Sequence, residues 1–289
     1  MKFAFSTVAC PTWTLERVAR LARDTGFGGV ELRTLGHADP TLACDPCHTA
    51  GEKVRELFEE EGVEVVGVST SIRYDQKVFP PIIGRAFQDL DKPVRETKSM
   101  VRVARGAGAS YVRVFGFEYG PNETRARGSR RVIEKATAAA KSARHSGVKV
   151  AIENAGSWAR GADLAELVEA CAMPEQLGAT YAIAPAVDAG EDPVAGIAAL
   201  GSMLKSVRVT DTVAGRPVAL GQGDQPIEQT IGHLARTGYD GWVVFDWPRL
   251  WMPHLPGPEA VLVDAAEKLY RWASAGTPGR IRPRAMAGV

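Results

Sequence analysis

The chain has 289 residues, of which 45% are hydrophobic and 24% charged, the balance of an ordinary globular protein. Its formal net charge is +1, so no overall electrostatic field favours nucleic acid or an anionic membrane. Thr12, Glu16 and Arg17 interrupt any secretory apolar segment, and no window approaches the roughly 18 apolar residues of a membrane span. We therefore expect a cytoplasmic protein, and its four cysteines are too few for a disulfide framework.

Eight short β-rich segments alternate with longer amphipathic segments along the chain. The first predicted helix, residues 14–25, has apolar residues at three- and four-residue spacing, with Thr14 as N-cap and Gly26 as its stop. Several predicted strands are near-continuous apolar runs, as expected for parallel strands covered on both faces. The predicted strands are residues 3–7, 28–33, 63–69, 111–115, 148–153, 180–188, 205–210 and 241–247.

A glycine separates helix from strand in several of these repeats, as at Gly62, Gly108 and Gly147. Eight βα units in a chain of this length predict an α/β fold, a single (β/α)8 TIM barrel over residues 1–275. An open doubly wound sheet is the alternative, and it is disfavoured because no G-x-G-x-x-G follows the first strand. Residues 276–289 are rich in proline and arginine and are predicted to form a flexible tail.

Polar residues close most of the predicted strands, at the end of the barrel where active sites lie. Three carboxylates, those of Glu153, Asp188 and Asp246, end apolar strands, and their charges would repel unless a cation or shared protons held them together. A cap or a salt bridge explains any one of them, whereas the three together favour a functional site. The complete set is Glu31, Arg33, Ser69 to Arg73, Glu118, Glu153, Asn154, Asp188, Arg208, Asp211 and Asp246.

Several segments resemble the xylose isomerase-like TIM barrels. This superfamily contains sugar-phosphate isomerases and epimerases, ketose 3-epimerases, inosose-processing enzymes and endonuclease IV, the AP endonuclease 2 type. The resemblance covers nearly the whole chain, and it is specific for the fold but not for the substrate. The similar segments are GVELR at 29–33, AIEN at 151–154, the residues 207–212, LGQGDQPIE at 220–228 and the residues 233–242 that follow.

The resemblance implies one divalent metal ion held by Glu, Asp, His and Glu from strands 5 to 8. These positions fall on Glu153, Asp188, Arg208 and Asp246, the last one methylene shorter than glutamate. Three oxygen donors could still hold Mg²⁺ or Mn²⁺. However, Arg208 stays protonated and cannot ligate a metal, and its guanidinium can pair with the carboxylates in the cation's place. A divalent metal is thus expected from the family and opposed by Arg208.

Further residues are candidates for contact with a substrate. The resemblance places a substrate-contacting histidine at Glu191, and Asp211 follows strand 7. Trp158 and Trp247 follow predicted strands, where they either stack on a sugar ring or pack within loops. His254 either supplies the missing imidazole or lies in a solvated loop.

Together these residues predict isomerisation or epimerisation of a small sugar, sugar phosphate or keto-polyol, by proton transfer at the carbon next to a carbonyl. Glu153 and Asp246 would be the acid–base pair on opposite faces of the substrate. Arg208, or a weakly held metal, would stabilise the enediolate oxyanion. The same chemistry continued to elimination would make the protein a lyase or dehydratase.

A catalytically inert carbohydrate-binding or partner subunit with a degenerate metal site is the alternative class. Loss of the ligand histidine and shortening of Glu to Asp are what relaxed selection would leave. An open polar pocket would favour an enzyme, and a collapsed Arg208–carboxylate cluster would favour the inert protein. A nuclease is disfavoured, because endonuclease IV-like sites use more histidines than the five in this chain. The expected partner is a small carbohydrate, without nucleic acid or membrane, and a homo-oligomer is compatible with the sequence.

Overall fold

The computed structural model describes residues 1–76, 89–120 and 122–276, in which eight parallel strands close into a barrel. Strands β8 and β9 stand apart as an antiparallel hairpin, and β10 closes the barrel between β7 and β1. The single (β/α)8 barrel predicted from the sequence is therefore confirmed. The strands are β1 (Lys2–Ser6), β2 (Gly29–Arg33), β3 (Glu64–Arg73), β4 (Tyr111–Phe115), β5 (Lys149–Glu153), β6 (Leu177–Ala182), β7 (Leu204–Val209), β8 (Asp211–Val213), β9 (Arg216–Val218) and β10 (Trp242–Phe245).

Helices connect the strands and cover the outside of the barrel. The first begins and ends where the sequence predicts: Thr14 accepts a hydrogen bond from the backbone N–H of Arg17, and Gly26 is left-handed with φ of 81°. No helix in the described ranges is long and apolar enough to cross a membrane. The helices are α1 (Leu15–Thr25), α2 (Gly51–Glu60), α3 (Lys92–Gly106), α4 (Arg125–Ser142), α5 (Gly161–Ala170), α6 (Ile183–Asp188), α7 (Pro193–Leu200), α8 (Ile227–Arg236) and α9 (Pro258–Gly276).

Two apolar clusters stabilise the fold. The larger lies between the outer faces of the strands and the helices, where residues such as Phe5, Val30 and Leu32 are buried. The smaller fills the barrel itself with Ala4, Val66, Tyr111, Ala151, Trp242 and Val244. Side chains alternate along each strand, so the same alternation that buries Tyr111 and Ala151 sends Arg113 and Glu153 into the barrel two residues later.

The strand predicted at 180–188 is wrong in position. Strand β6 ends at Ala182, and the next six residues form the short helix α6, which leaves Asp188 exposed at the end of that helix. The apolar run continues through both elements, and periodicity alone does not separate a buried strand from a short buried helix. The predicted tail at 276–289 lies outside the described residues, except for Gly276, which ends α9.

Candidate functional site

Arg208 occupies the centre of the barrel at its carboxyl end and contacts three carboxylates. Its side chain is 6% exposed. Its Nε donates to Glu153 Oε2 at 3.0 Å, Nη1 lies 3.0 Å from Asp246 Oδ2, and Nη2 donates to Glu31 Oε2. Every nitrogen of the guanidinium thus faces a carboxylate, each supplied by a different strand end.

Neighbouring strands hold this cluster in place. Arg113 on β4 donates to Glu153 Oε1, so both oxygens of that carboxylate bind a guanidinium. The Tyr111 hydroxyl donates to Glu31 Oε1 at 2.8 Å and lies 3.1 Å from Ser206 Oγ. We refer to Glu31, Arg113, Glu153, Arg208 and Asp246 as the charge network.

Two buried members of the network, Glu31 and Arg208, are held in their charged forms by their neighbours. Burial alone would raise the pKa of Glu31, but the positive charges of Arg208 and Arg113 and the Tyr111 hydrogen bond outweigh it, so the pKa is lowered. Burial likewise opposes the charge on Arg208, yet Glu31, Asp246 and Glu153 raise its pKa well above the usual value. The cation and the carboxylates therefore stabilise each other's ionised forms.

Arg33, the last residue of β2, is a third buried guanidinium at this end of the barrel, 3% exposed. Its Nη2 donates to the hydroxyl of Ser71, and its guanidinium carbon lies 5.4 Å from the ring centroid of Trp251. Burial, together with the positive charges of Arg113 and Arg208, lowers the pKa of Arg33 to about 10. The guanidinium remains charged at neutral pH.

The residues present do not fit the metal ion that the resemblance implies. Within the described ranges, no three His, Cys, Asp or Glu side chains are placed to hold a metal ion. Strand β6 ends at Ala182, the register partner of Arg208, and a methyl group cannot ligate a metal ion. The sequence-based ligand set of Glu153, Asp188 and Asp246 is therefore not assembled: Asp188 lies on α6, and the guanidinium of Arg208 bridges the other two.

Two acidic residues predicted to contact substrate have structural partners instead. Glu191 accepts hydrogen bonds from the backbone N–H of Gly161 at 2.7 Å and from the Tyr181 hydroxyl at 3.0 Å, which ties it to the start of α5. Asp211 is buried and accepts backbone hydrogen bonds from Gly221 at 2.7 Å and Gly223 at 3.0 Å. Both carboxylates organise loops, and their contacts lend no support to the predicted substrate role.

The aromatic candidates are buried against partners of their own. Trp158 is buried and packs edge-on against Tyr119, and Trp247 is buried and donates through Nε1 to the Pro256 carbonyl at 3.0 Å. Their contacts are those of loop packing, the second of the two interpretations that the sequence left open. His254 is exposed in its loop.

Arg113 and Tyr111 were not among the residues predicted from the sequence, and Glu31 and Arg33 were predicted at strand ends without a role. A signal was present in strand 4, because Arg113 interrupts the apolar run at 111–115 on the same face as Tyr111. The contact between Glu31 and Arg208, which are 177 positions apart, depends on barrel closure. It has no local signal in the sequence.

Buried polar atoms without a hydrogen-bond partner are concentrated around the network. Of the seven such side-chain atoms among the described residues, five belong to residues that lie in a barrel strand or directly follow one. Atoms of this kind are uncommon in folded proteins, and they occur where a ligand completes the hydrogen bonding. They are Ser6 Oγ, Arg33 Nε, Ser69 Oγ, Arg113 Nε and Asp246 Oδ1.

Solved structures with the same fold include several that act on carbohydrates or bind metal. An IolI protein with a binding zinc atom is 15% identical, with a TM-score of 0.77 over 96% of this chain and 100% of its own. The probable 3-DHS dehydratase AsbF from Bacillus anthracis is 14% identical, with a TM-score of 0.74 over 93% and 98%. An L-ribulose 3-epimerase is 14% identical, with a TM-score of 0.72 over 97% and 99%. At these identities the likeness shows the fold alone.

The family itself is shown by sequence. No curated protein sequence matches the chain. A family model does match, over residues 19–272, and its description is the xylose isomerase-like TIM barrel. The closed barrel agrees with that match, and the chain belongs to the xylose isomerase-like TIM barrel family.

Proposed function

We propose that this chain binds a small carbohydrate at the carboxyl ends of its barrel strands, with Arg208 in the place of a metal ion. The observation that carries the proposal is the contact of all three Arg208 nitrogens with Glu31, Glu153 and Asp246. Structures of the same fold include an L-ribulose 3-epimerase and a D-psicose 3-epimerase with D-tagatose, and these support a carbohydrate as the ligand.

A divalent ion would have to displace the guanidinium before it reached the same oxygens. Arg208 already gives those carboxylates charge-assisted hydrogen bonds, and it would repel a second cation in a buried site. This arrangement is the Arg208–carboxylate cluster that the sequence analysis associates with the inert, carbohydrate-binding alternative. Hydroxyl groups of a sugar suit the unpartnered atoms Ser6 Oγ and Asp246 Oδ1 at the barrel mouth.

Proton transfer at the carbon next to a carbonyl is the second candidate, and Asp246 favours it. One of its oxygens has no partner among the described residues, and its side chain is 23% exposed, whereas both oxygens of Glu153 bind guanidinium groups. Asp246 could act as a base beside the Arg208 cation. Epimerisation also needs an acid on the opposite face, so a single base suits elimination, as in a lyase, better than epimerisation.

Titration calorimetry with D-fructose, L-ribulose and D-psicose tests the binding proposal. After dialysis against EDTA, we expect the wild-type protein to bind at least one of these sugars, with a Kd unchanged by added Mn²⁺. Asp246→Asn removes the acceptor charge and should weaken binding. Binding that appears only when Mn²⁺ is present would contradict the proposal.

Proton exchange in D₂O separates the two candidates. If Asp246 acts as a base, NMR will show deuterium entering the bound sugar next to its carbonyl in the wild type and not in Asp246→Asn. Binding without exchange or elimination leaves the carbohydrate-binding protein as the function.

A further inference from the structure

Three register partners on adjacent strands form a row at the barrel mouth. Arg33 on β2 pairs with Ser69 on β3, and Ser69 pairs with Arg113 on β4. All three are buried, at 3%, 0% and 7% exposure. Each has a side-chain atom without a hydrogen-bond partner among the described residues: Arg33 Nε, Ser69 Oγ and Arg113 Nε. Both arginine atoms are donors, and the serine hydroxyl can be one.

The two arginines of this row differ in whether they have an ion-pair partner. Arg113 has Glu153 as its ion-pair partner, but no described carboxylate lies within 4.0 Å of the Arg33 nitrogens. The direct partners of Arg33 are the neutral Ser71 hydroxyl and, more distantly, the Trp251 ring. A buried guanidinium is ordinarily paired with an anion, because burial removes the water that stabilises its charge. Its neighbours Arg113 and Arg208 add repulsion, and the charges of Glu31 and Asp246, which form no ion pair with it, offset part of that repulsion.

Space for a ligand lies beside two neighbours of Arg33, the residue that follows it in the chain and the residue that accepts its hydrogen bond. A cavity of about 480 Å³ is lined by Thr34, Thr70 and Ser71 among others, and Ser71 is the exposed residue whose hydroxyl accepts from Arg33. A cavity of this size accommodates a small ligand such as a monosaccharide. On its other side the guanidinium lies under Trp251, an exposed ring.

We propose that Arg33, Ser69 and Arg113 form an anion subsite that binds a carboxylate or phosphate group of the carbohydrate ligand. This inference rests on the proposed function and specifies its ligand as an acidic sugar. Two guanidinium donors and a hydroxyl suit the oxygens of such a group, and the anion supplies the partner charge that Arg33 lacks. The remaining hydroxyls of the sugar would then reach Asp246.

A matched set of ligands tests the subsite by titration calorimetry: D-fructose, D-fructose 6-phosphate and 5-keto-D-gluconate. We expect the wild type to bind one of the two anionic sugars at least tenfold more tightly than D-fructose. The sugar that gains affinity identifies the group as phosphate or carboxylate. Arg33→Gln should remove the preference for the anionic sugar. Arg125→Gln, which removes the same charge from an exposed outer helix, should behave as the wild type.

Acetate and inorganic phosphate give a second measurement that separates this inference from the carbohydrate proposal. If either anion raises the Tm of the wild type but not of Arg33→Gln, and no sugar binds, the subsite stands and the carbohydrate ligand is wrong. If Arg33→Gln does not fold, competition of acetate or phosphate with the anionic sugar in the wild type decides the matter.

Two results would overturn the subsite. Equal affinity for the neutral and anionic sugars would leave the proposed function standing without an anion site. A stability loss in Arg33→Gln with unchanged ligand preference would mean that Arg33 only balances the charge of the network. Absence of any response to all five probes contradicts both proposals.

Discussion

A guanidinium such as that of Arg208 and a metal ion would hold the same carboxylates in different ways. A guanidinium carries one positive charge in a rigid plane, so it holds the carboxylates by directed hydrogen bonds. It has no vacant position to offer a substrate oxygen, as a metal with an open site does. The three carboxylates around Arg208 therefore form a closed ion-pair cluster, except for Asp246 Oδ1.

Removing the cation should expose the energetic cost of the buried carboxylates. We expect Arg208→Leu to lose about 3–5 kcal/mol of unfolding free energy at pH 7, because Glu31 would remain buried without its ion-pair partner and Glu153 would keep only Arg113. Urea unfolding measures the loss. Arg125→Leu, which breaks exposed pairs only, should change little. Equal losses in the two variants would mean that Arg208 does not stabilise the network.

The contribution of Glu31 to the free energy of unfolding should depend on pH with opposite sign in the wild type and in Arg208→Leu. In the wild type the pKa of Glu31 is lowered, so its pairing stabilises the fold above the unfolded value of about 4.3 and is lost as the pH falls through the folded value. In Arg208→Leu burial would raise the pKa of Glu31. The difference in unfolding free energy between the wild type and this variant should therefore shrink as the pH is lowered from 7 towards 5. A difference that is constant with pH would contradict this account of Glu31.

At the scale of elements, strands were predictable wherever an apolar run ended in a glycine or a polar residue. Strand β4 was predicted with its observed bounds, residues 111–115. Strand β6 was not, because the apolar run continues past Ala182 into α6, and this displaced the expected site carboxylate to Asp188. The network itself depends on strand register, including the shift between Val30 and Glu31 where β2 meets β3, and short-range sequence patterns do not specify register.

The loop after β7 depends on Asp211, which the sequence assigned to substrate binding. Its carboxylate also accepts from the backbone N–H of Thr212 at 3.0 Å, in addition to Gly221 and Gly223. We expect Asp211→Asn to lose about 2 kcal/mol of unfolding free energy, because an amide offers only one acceptor oxygen. Its Kd for the carbohydrate should stay within about twofold of the wild type. Chemical denaturation and calorimetry measure the two quantities.

Asp192→Asn is the matched control for this change. Asp192 caps α7 through the Val194 N–H at 3.1 Å, and asparagine is an equally good N-cap, so this variant should be as stable as the wild type. An Asp211→Asn protein of wild-type stability that no longer binds sugar would return Asp211 to the substrate-binding residues.

For the whole molecule, two neighbouring positions at the carboxyl end of the barrel bear on metal binding. Ala182 and Arg208 are register partners on β6 and β7, and neither supplies a metal ligand. We expect the double variant Ala182→Asp/Arg208→His to bind Mn²⁺ at least tenfold more tightly than the wild type, because it adds a carboxylate and an imidazole beside Glu153 and Asp246. Calorimetry at pH 7.5, where the imidazole is neutral, measures the affinity.

The position of strand 6 can be tested in the same background. Adding Asp188→Ala to the double variant should leave the Mn²⁺ affinity unchanged, since Asp188 is exposed at the end of α6. Loss of the added affinity would show that Asp188, as the sequence first indicated, reaches the site. Tight Mn²⁺ binding by the wild type would contradict the replacement of the metal by Arg208.

The position of Trp251 gives the molecule an internal optical reporter. All six tryptophans lie in the described residues, and five of them are no more than 8% exposed, whereas Trp251 is 57% exposed. A collisional quencher such as acrylamide therefore reaches the Trp251 indole far more readily than the other five. Because that ring lies over Arg33, a molecule that arrives at the guanidinium shields the indole and changes its emission. Quenching of the intrinsic tryptophan fluorescence thus reports whether a molecule has bound beside Arg33, with no label attached to the protein.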